Sequence, residues 1–90
     1  MIPKHRIPTH PGEILLEDFL KPMNITQVEL AEKMGVPIQR VNTIVNGKRD
    51  VTAETAILLS VVLKTTPEFW MNLQITLDLY KAARMLERAA

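Results

Sequence analysis

The chain contains no cysteine, a single serine and only three glycines. Without cysteine there is no disulfide scaffold, no thiolate nucleophile and no Cys-based zinc site. The lone serine, Ser60, lies in an apolar helical stretch rather than on a nucleophile turn. Glycines at positions 12, 35 and 47 are too scattered to form a phosphate-cradling loop. An excess of charge is missing as well: eleven Lys and Arg against ten Asp and Glu leave a formal charge of +1. Attraction to a nucleic acid or a membrane must therefore come from local charge placement. Long hydrophobic runs are also absent. The longest nearly apolar stretch, 56–63, falls far short of the ~20 residues a bilayer helix needs. Residues 1–11 carry Pro3, Pro8 and Pro11 and no apolar core, so they do not read as a signal peptide. His5 and His10 sit in this proline-rich arm without ligand spacing, and Glu29, Glu32 and Glu54 read as caps and solvated faces. The expectation is a soluble cytoplasmic domain that is not an enzyme and takes no metal or cofactor.

What is present is one domain's worth of chain, 90 residues that are 47% apolar and 23% charged. A packed core is within reach, although a chain this short hides only about 60–65% of its unfolded surface. The whole of 1–90 reads as a single domain. Its periodicity is helical throughout, with no hairpin signal and no repeat.

Glycine, proline and capping residues divide the chain into five predicted helices. The first starts at Pro11, where a missing N–H is harmless, and is expected to stop near Leu20 before Pro22. The second is capped by Thr26, with Glu29 reaching back, and ends at Gly35. A third starts at Pro37 and ends at Gly47. Thr52 caps a fourth that runs to about Leu63. Thr66-Pro67-Glu68 opens the fifth and longest, expected to reach about Leu86.

The most informative stretch is 26–46. Two short helices meet at Gly35-Val36-Pro37, and Ala31 stands where a larger side chain would hold them apart. Leu30, Val36, Val41 and Ile44 supply the apolar lock. This is the register of a helix-turn-helix, in which the second helix is held rigidly with one face free for the major groove. That face carries Ile38, Gln39, Asn42, Thr43 and Asn46, with Arg40 at its edge. Asn and Gln pair with adenine edges, Arg with guanine, and Thr or Ile meets a thymine methyl. Gln27 stands at a helix N-terminus suited to a phosphate. From Gly35 to Arg49 there are three cations (Arg40, Lys48, Arg49) and no acid, so the near-neutral chain is polarised. A Gln/Asn/Thr face is also what a merely solvated helix presents. The coincidence of register, small residue, turn and charge favours DNA.

These segments resemble the HigA/VapI group of antitoxins within the phage-repressor-like regulators. The resemblance rests on His10-Pro11-Gly12-Glu13-Ile14-Leu15, the helix-turn-helix, Asn46-Gly47-Lys48-Arg49, Val51-Thr52-Ala53-Glu54-Thr55-Ala56, and Pro67-Glu68-Phe69-Trp70-Met71-Asn72-Leu73-Gln74. It covers residues 10 to about 79. Leu77 departs from the tyrosine often found in the group. The resemblance implies an all-α, five-helix domain with a longer C-terminal helix, and two activities. One is repression of its own operon through double-stranded, palindromic operator DNA. The other is neutralisation of a HigB-like toxin, an mRNA endonuclease. By position, the DNA-facing residues are Gln27, Ile38, Gln39, Arg40, Asn42, Thr43, Asn46, Lys48 and Arg49, the last two as phosphate contacts.

The fifth predicted helix shows two apolar stripes. Phe69, Trp70, Leu73, Leu77 and Tyr80 are expected to face the core, with Gln74 as a polar divider between the stripes. Met71, Ile75, Leu79, Ala82 and Leu86 are expected to pair with a second subunit, making 67–86 a dimerisation helix. A two-fold dimer would set two reading helices roughly 34 Å apart. The acids Glu13, Glu17 and Asp18 on the first helix suit a basic ribonuclease surface, and equally suit the dipole of their own helix. The competing readings are a stand-alone phage-repressor-type regulator without a toxin, and a pure protein-interaction domain.

Overall fold

The computed structural model describes residues 6–89; Pro3 and His5 of the arm lie outside the described residues. Among these, every regular element is a helix. His10 caps the first through its Nδ1, which accepts the Gly12 N–H at 2.9 Å. Helix α1 is continuous over 11–23. It consists of an α-helical turn Pro11–Ile14, a π-helical stretch Leu15–Leu20 and a closing turn Lys21–Met23. It therefore does not stop at Leu20. In the π-wound stretch the Lys21 N–H reaches back five residues to the Leu16 carbonyl. That wider winding carries the chain past Pro22, whose ring would strike a carbonyl of a regular α-helix. Asn24, left-handed at φ 56°, ends the helix.

Helix α2 spans Gln27–Met34, α3 Ile38–Val45, α4 Ala53–Leu63 and α5 Pro67–Ala89. The capping box at Thr26 is complete. Glu29 N–H donates to the Thr26 hydroxyl at 3.1 Å, and Thr26 N–H donates to the Glu29 carboxylate at 2.9 Å. The Thr26 backbone bond, and then its hydroxyl, hold the Glu29 carboxyl below its ordinary pKa. Pro37 serves as the cap of α3 rather than its first residue. Asn24, Gly35 and Gly47 close α1, α2 and α3 with the same paired backbone bonds. Gly35 and Val36 N–H donate to the Glu32 and Ala31 carbonyls at 3.1 and 3.0 Å, and Gly47 and Lys48 to those of Ile44 and Thr43 at 3.0 and 2.8 Å.

The core is built where the five helices meet. Leu15, Leu20, Leu30, Ala31, Met34, Val41, Ile44, Val51, Ala56, Leu59, Leu63 and Trp70 form one buried cluster. Helix α2 lies on both α3 and α4, while α5 packs along α4 and touches the first turn of α1. That turn crosses α3 so closely that a Cβ on Gly12 would collide with the Ile44 carbonyl.

The inward face of α5 differs from the expected stripe. Trp70, Gln74 and Leu77 are buried, at spacings of four and three. Phe69 stays 38% exposed, although its ring meets Phe19 at 5.9 Å and Trp70 at 5.0 Å. Gln74 is a buried ligand of the backbone rather than a surface divider. Its Oε1 accepts the Val51 N–H at 2.8 Å and its Nε2 donates to Asp78 at 2.9 Å. The Trp70 indole N–H is likewise satisfied, by Thr65 Oγ1 at 2.8 Å. Helix α5 runs to Ala89, a turn beyond the expected end, and among the described residues none after Leu77 is buried.

Candidate nucleic-acid interface

Helix α3 is fixed on three sides. Val41 and Ile44 are 1% exposed, Ala31 lets α2 approach, and Gly12 lets α1 cross. With the inner face committed, Gln39, Asn42 and Asn46, at spacings of three and four, form the outer one, and all three are exposed. Ile38 was expected on that face. It is half-buried against the core, because it lies one turn before Val41 on the inner side. Thr43 is half-buried too, and its hydroxyl donates to the Gln39 and Arg40 carbonyls at 2.7 and 3.2 Å. Its methyl group and the acceptor side of the hydroxyl oxygen stay unengaged among the described residues.

The outer face is pre-ordered by side-chain amides. Asn46 Nδ2 donates to Asn42 Oδ1 at 3.3 Å, and Asn42 Nδ2 donates to Gln27 Oε1 at 3.3 Å. This ladder ties the first residue of α2 to the outer face of α3. It leaves the Gln27 amide N–H groups and the Gln39 side chain without partners among the described residues. Next to the Gln27 side chain lies the α2 N-terminus, whose first N–H groups have no intrahelical acceptor. Lys48 and Arg49 stand exposed in the turn that follows α3.

Arg40 is placed differently from the rest. Its Nη1 donates to Glu54 Oε1 at 3.0 Å, across to the first turn of α4, and its side chain is only 28% exposed. Glu54 is a first-turn, 73% exposed acid of α4, in keeping with its reading as a cap or solvated face, and carries this ion pair in addition. Spacing along the chain gives no hint of a pair fourteen residues apart. Gln74 was missed for a related reason, a polar residue at an inward position. Its spacing from Trp70 and Leu77 was the available signal.

The other expected residues fall as follows. Glu13, Glu17 and Asp18 are exposed on α1, with Glu17 paired to Lys21 at 2.8 Å. Ile75, Leu79, Ala82 and Leu86 are exposed on α5. Met71 departs from this set, being half-buried against the chain's own core. Among the described residues no group of three His, Asp or Glu side chains is placed to hold a metal ion, and no helix is long and apolar enough to cross a membrane.

A buried small-residue crossing, a glycine turn and an outward polar face on the second helix together define a helix-turn-helix domain. The helix-turn-helix family model matches residues 16–70. Antitoxin HigA-1 of Vibrio cholerae is 42% identical over 85 residues, which are 94% of this chain and 80% of that protein. An uncharacterized HTH-type transcriptional regulator of Haemophilus influenzae is 44% identical over 75 residues, 83% of this chain and 70% of that one. Among solved structures, Pseudomonas aeruginosa antitoxin HigA with the higBA promoter superposes with a TM-score of 0.87. It is 38% identical, with 91% of this chain and 89% of that chain covered. The chain belongs to the helix-turn-helix family and, within it, to the HigA-type antitoxins, a family of regulators and not of enzymes.

Proposed function

We propose that this protein binds palindromic operator DNA through α3, represses its own operon, and neutralises a HigB-like toxin by direct contact in the cytoplasm. The observation that carries the DNA half is the amide ladder Gln27–Asn42–Asn46. It pre-orders polar groups on a helix whose other side is locked, and ordering side chains before binding lowers the entropy cost of a directed contact. The P. aeruginosa relative solved with its promoter supports the same reading. Gln39, Asn42 and Asn46 face base edges, Ile38 and Thr43 offer methyl groups at the rim, and Gln27, Lys48 and Arg49 hold phosphates. Arg40 makes a directed contact.

A homodimer through the outer stripe of α5 places two copies of α3 on the two half-sites. Ile75, Leu79, Ala82 and Leu86 supply that stripe, with Met71 at its margin. The toxin contact is assigned to Glu13, Glu17 and Asp18, whose exposed carboxylates suit a basic, RNA-binding partner. A second reading, a regulator without a toxin, is favoured by the H. influenzae relative, which bears only a regulator's name.

One growth assay separates the two. The reading frame adjoining this gene is expressed alone, with the protein, and with the protein carrying Gln39→Ala and Arg49→Ala together. Arrest relieved by both versions is the expected result. Absence of arrest, or arrest that neither version relieves, leaves the regulator alone.

A further inference from the structure

We propose that Glu54 is a specificity-determining residue of the DNA interface. It acts as a positioning residue that holds the Arg40 guanidinium in one direction and keeps it off generic phosphate contacts. The inference rests on the reading of α3 as the DNA-reading helix. Arg40 and Glu54 are 3.0 Å apart, with Glu54 73% exposed in the first turn of α4, where the helix dipole favours a carboxylate. With Glu54 largely solvated, screening keeps the ion pair's own contribution to folding small even though the Arg40 side chain is mostly covered. Its consequence for the duplex is larger.

An arginine on a four-bond stem that is left unrestrained reaches the nearest phosphate, which adds affinity but carries no sequence information. Lys48 and Arg49 already supply that kind of contact from the adjoining turn. Arg40 is the one cation of this region tied by an ion pair among the described residues. With Nη1 engaged, the rest of its rigid donor fork points in a fixed direction. The Glu54 charge also repels a phosphate approaching the same site, which penalises every duplex that does not offer a compensating base contact.

The experiment compares wild type, Glu54→Gln, Arg40→Gln and the double variant. Each is titrated with a duplex from the region upstream of this gene and with a scrambled duplex of equal composition, over a series of salt concentrations. For Glu54→Gln the expected result is at least fivefold tighter binding to the scrambled duplex. Its salt slope should be steeper by about 0.9 per subunit, one more phosphate neutralised by each, and its preference for the upstream duplex at least tenfold lower. In the Arg40→Gln background the same change should leave the preference within twofold. An unchanged preference in Glu54→Gln overturns the proposal. So does a loss of preference that persists without Arg40, since Glu54 would then act by its own charge alone. If wild type shows no preference for the upstream duplex while remaining folded, the DNA reading fails and this inference falls with it.

Discussion

Gln74 accepts the backbone N–H of Val51 at 2.8 Å from a position on α5 that is 2% exposed. The bond joins the longest helix to the segment between α3 and α4, two residues after Arg49. Replacing Gln74 by Leu keeps the volume and removes the acceptor, leaving a buried N–H unsatisfied. A loss of about 1–3 kcal/mol is expected. Urea unfolding checks it, with the midpoint falling and the slope unchanged. A Gln74→Leu protein as stable as wild type would show that water replaces the amide there.

Gly12 and Gly35 are glycines for different reasons, and alanine at each separates them. At Gly12 a methyl group meets the Ile44 carbonyl, backbone that can yield only by moving α1 off α3. Overpacking of this kind costs about 1–3 kcal/mol or more, against a helix-propensity gain of at most ~1 kcal/mol. At Gly35 nothing lies within 4 Å of the added carbon, and the penalty comes from φ +71° alone, about 1–2 kcal/mol. Gly12→Ala should also weaken operator binding, because the crossing sets the position of α3. Gly35→Ala should not, beyond its effect on the folded fraction. Equal effects on DNA affinity at equal folded fraction would contradict the role given to the crossing.

Much of this architecture was legible in the chain. Thr26, Glu29, Gly35 and Gly47 act locally, each through bonds spanning a few residues, and such signals survive without knowledge of the tertiary fold. The locking residues Leu30, Ala31, Val41 and Ile44 were legible because a helix-turn-helix has one register. What escaped depends on contacts distant in sequence. The inward turn of Gln74 is stabilised by Val51, twenty-three residues away, and the restraint on Arg40 comes from Glu54. The π-wound stretch of α1 escaped for another reason. Pro22 reads as a helix stop unless the preceding turns widen, and nothing local announces that they do. Ile38 and Met71 were assigned outward from ideal helical angles, while each lies close enough to the boundary of its face to be drawn into the core.

His10 is expected to make stability depend on pH. Its Nδ1 accepts the Gly12 N–H, while no partner for its buried Nε2 is found among the described residues. Burial is the main cause that lowers its pKa from the ordinary 6.5, followed by the nearby Lys81 charge, while Asp50 and Asp78 oppose the shift. A depressed folded pKa means that the folded state binds fewer protons. The stability is then fully present above 6.5 and is lost as pH falls from there through the folded value. His10→Asn keeps a capping side chain without titrating. The expected outcome is a smaller drop in melting temperature between pH 7.5 and 5.5 for that variant than for wild type. Parallel pH profiles would remove His10 as the cause.

The outer stripe of α5 predicts a charge-sensitive dimer. Leu79, beyond the last buried turn, is 51% exposed, and Ile75 is 47% exposed on the same outer side, so a carboxylate at either costs the monomer little. Leu79→Glu would place two like charges across the proposed two-fold interface. Sedimentation at micromolar concentration should move from dimer to monomer, with the circular dichroism spectrum unchanged. Operator affinity should then fall and become steeply dependent on protein concentration. A wild type that sediments as a monomer would reassign the stripe to another partner.

Base reading and phosphate holding should separate by salt. Gln39 stands exposed at the start of α3 with no partner for its side chain among the described residues, free to meet a base edge. Gln39→Ala should cost about 1–3 kcal/mol on the upstream duplex, relax selection at one position of each half-site, and leave the salt slope in place. Lys48→Ala with Arg49→Ala should weaken binding to every duplex by a similar factor. Since each lost phosphate contact reduces the slope by about 0.9, the pair should reduce it by roughly 1.8 per subunit. Fluorescence anisotropy on upstream and scrambled duplexes at several salt concentrations measures both quantities together. If Gln39→Ala changes the slope while leaving sequence preference intact, Gln39 is a backbone contact and the reading face must be centred on Asn42 and Asn46, where the amide ladder holds both side chains in place.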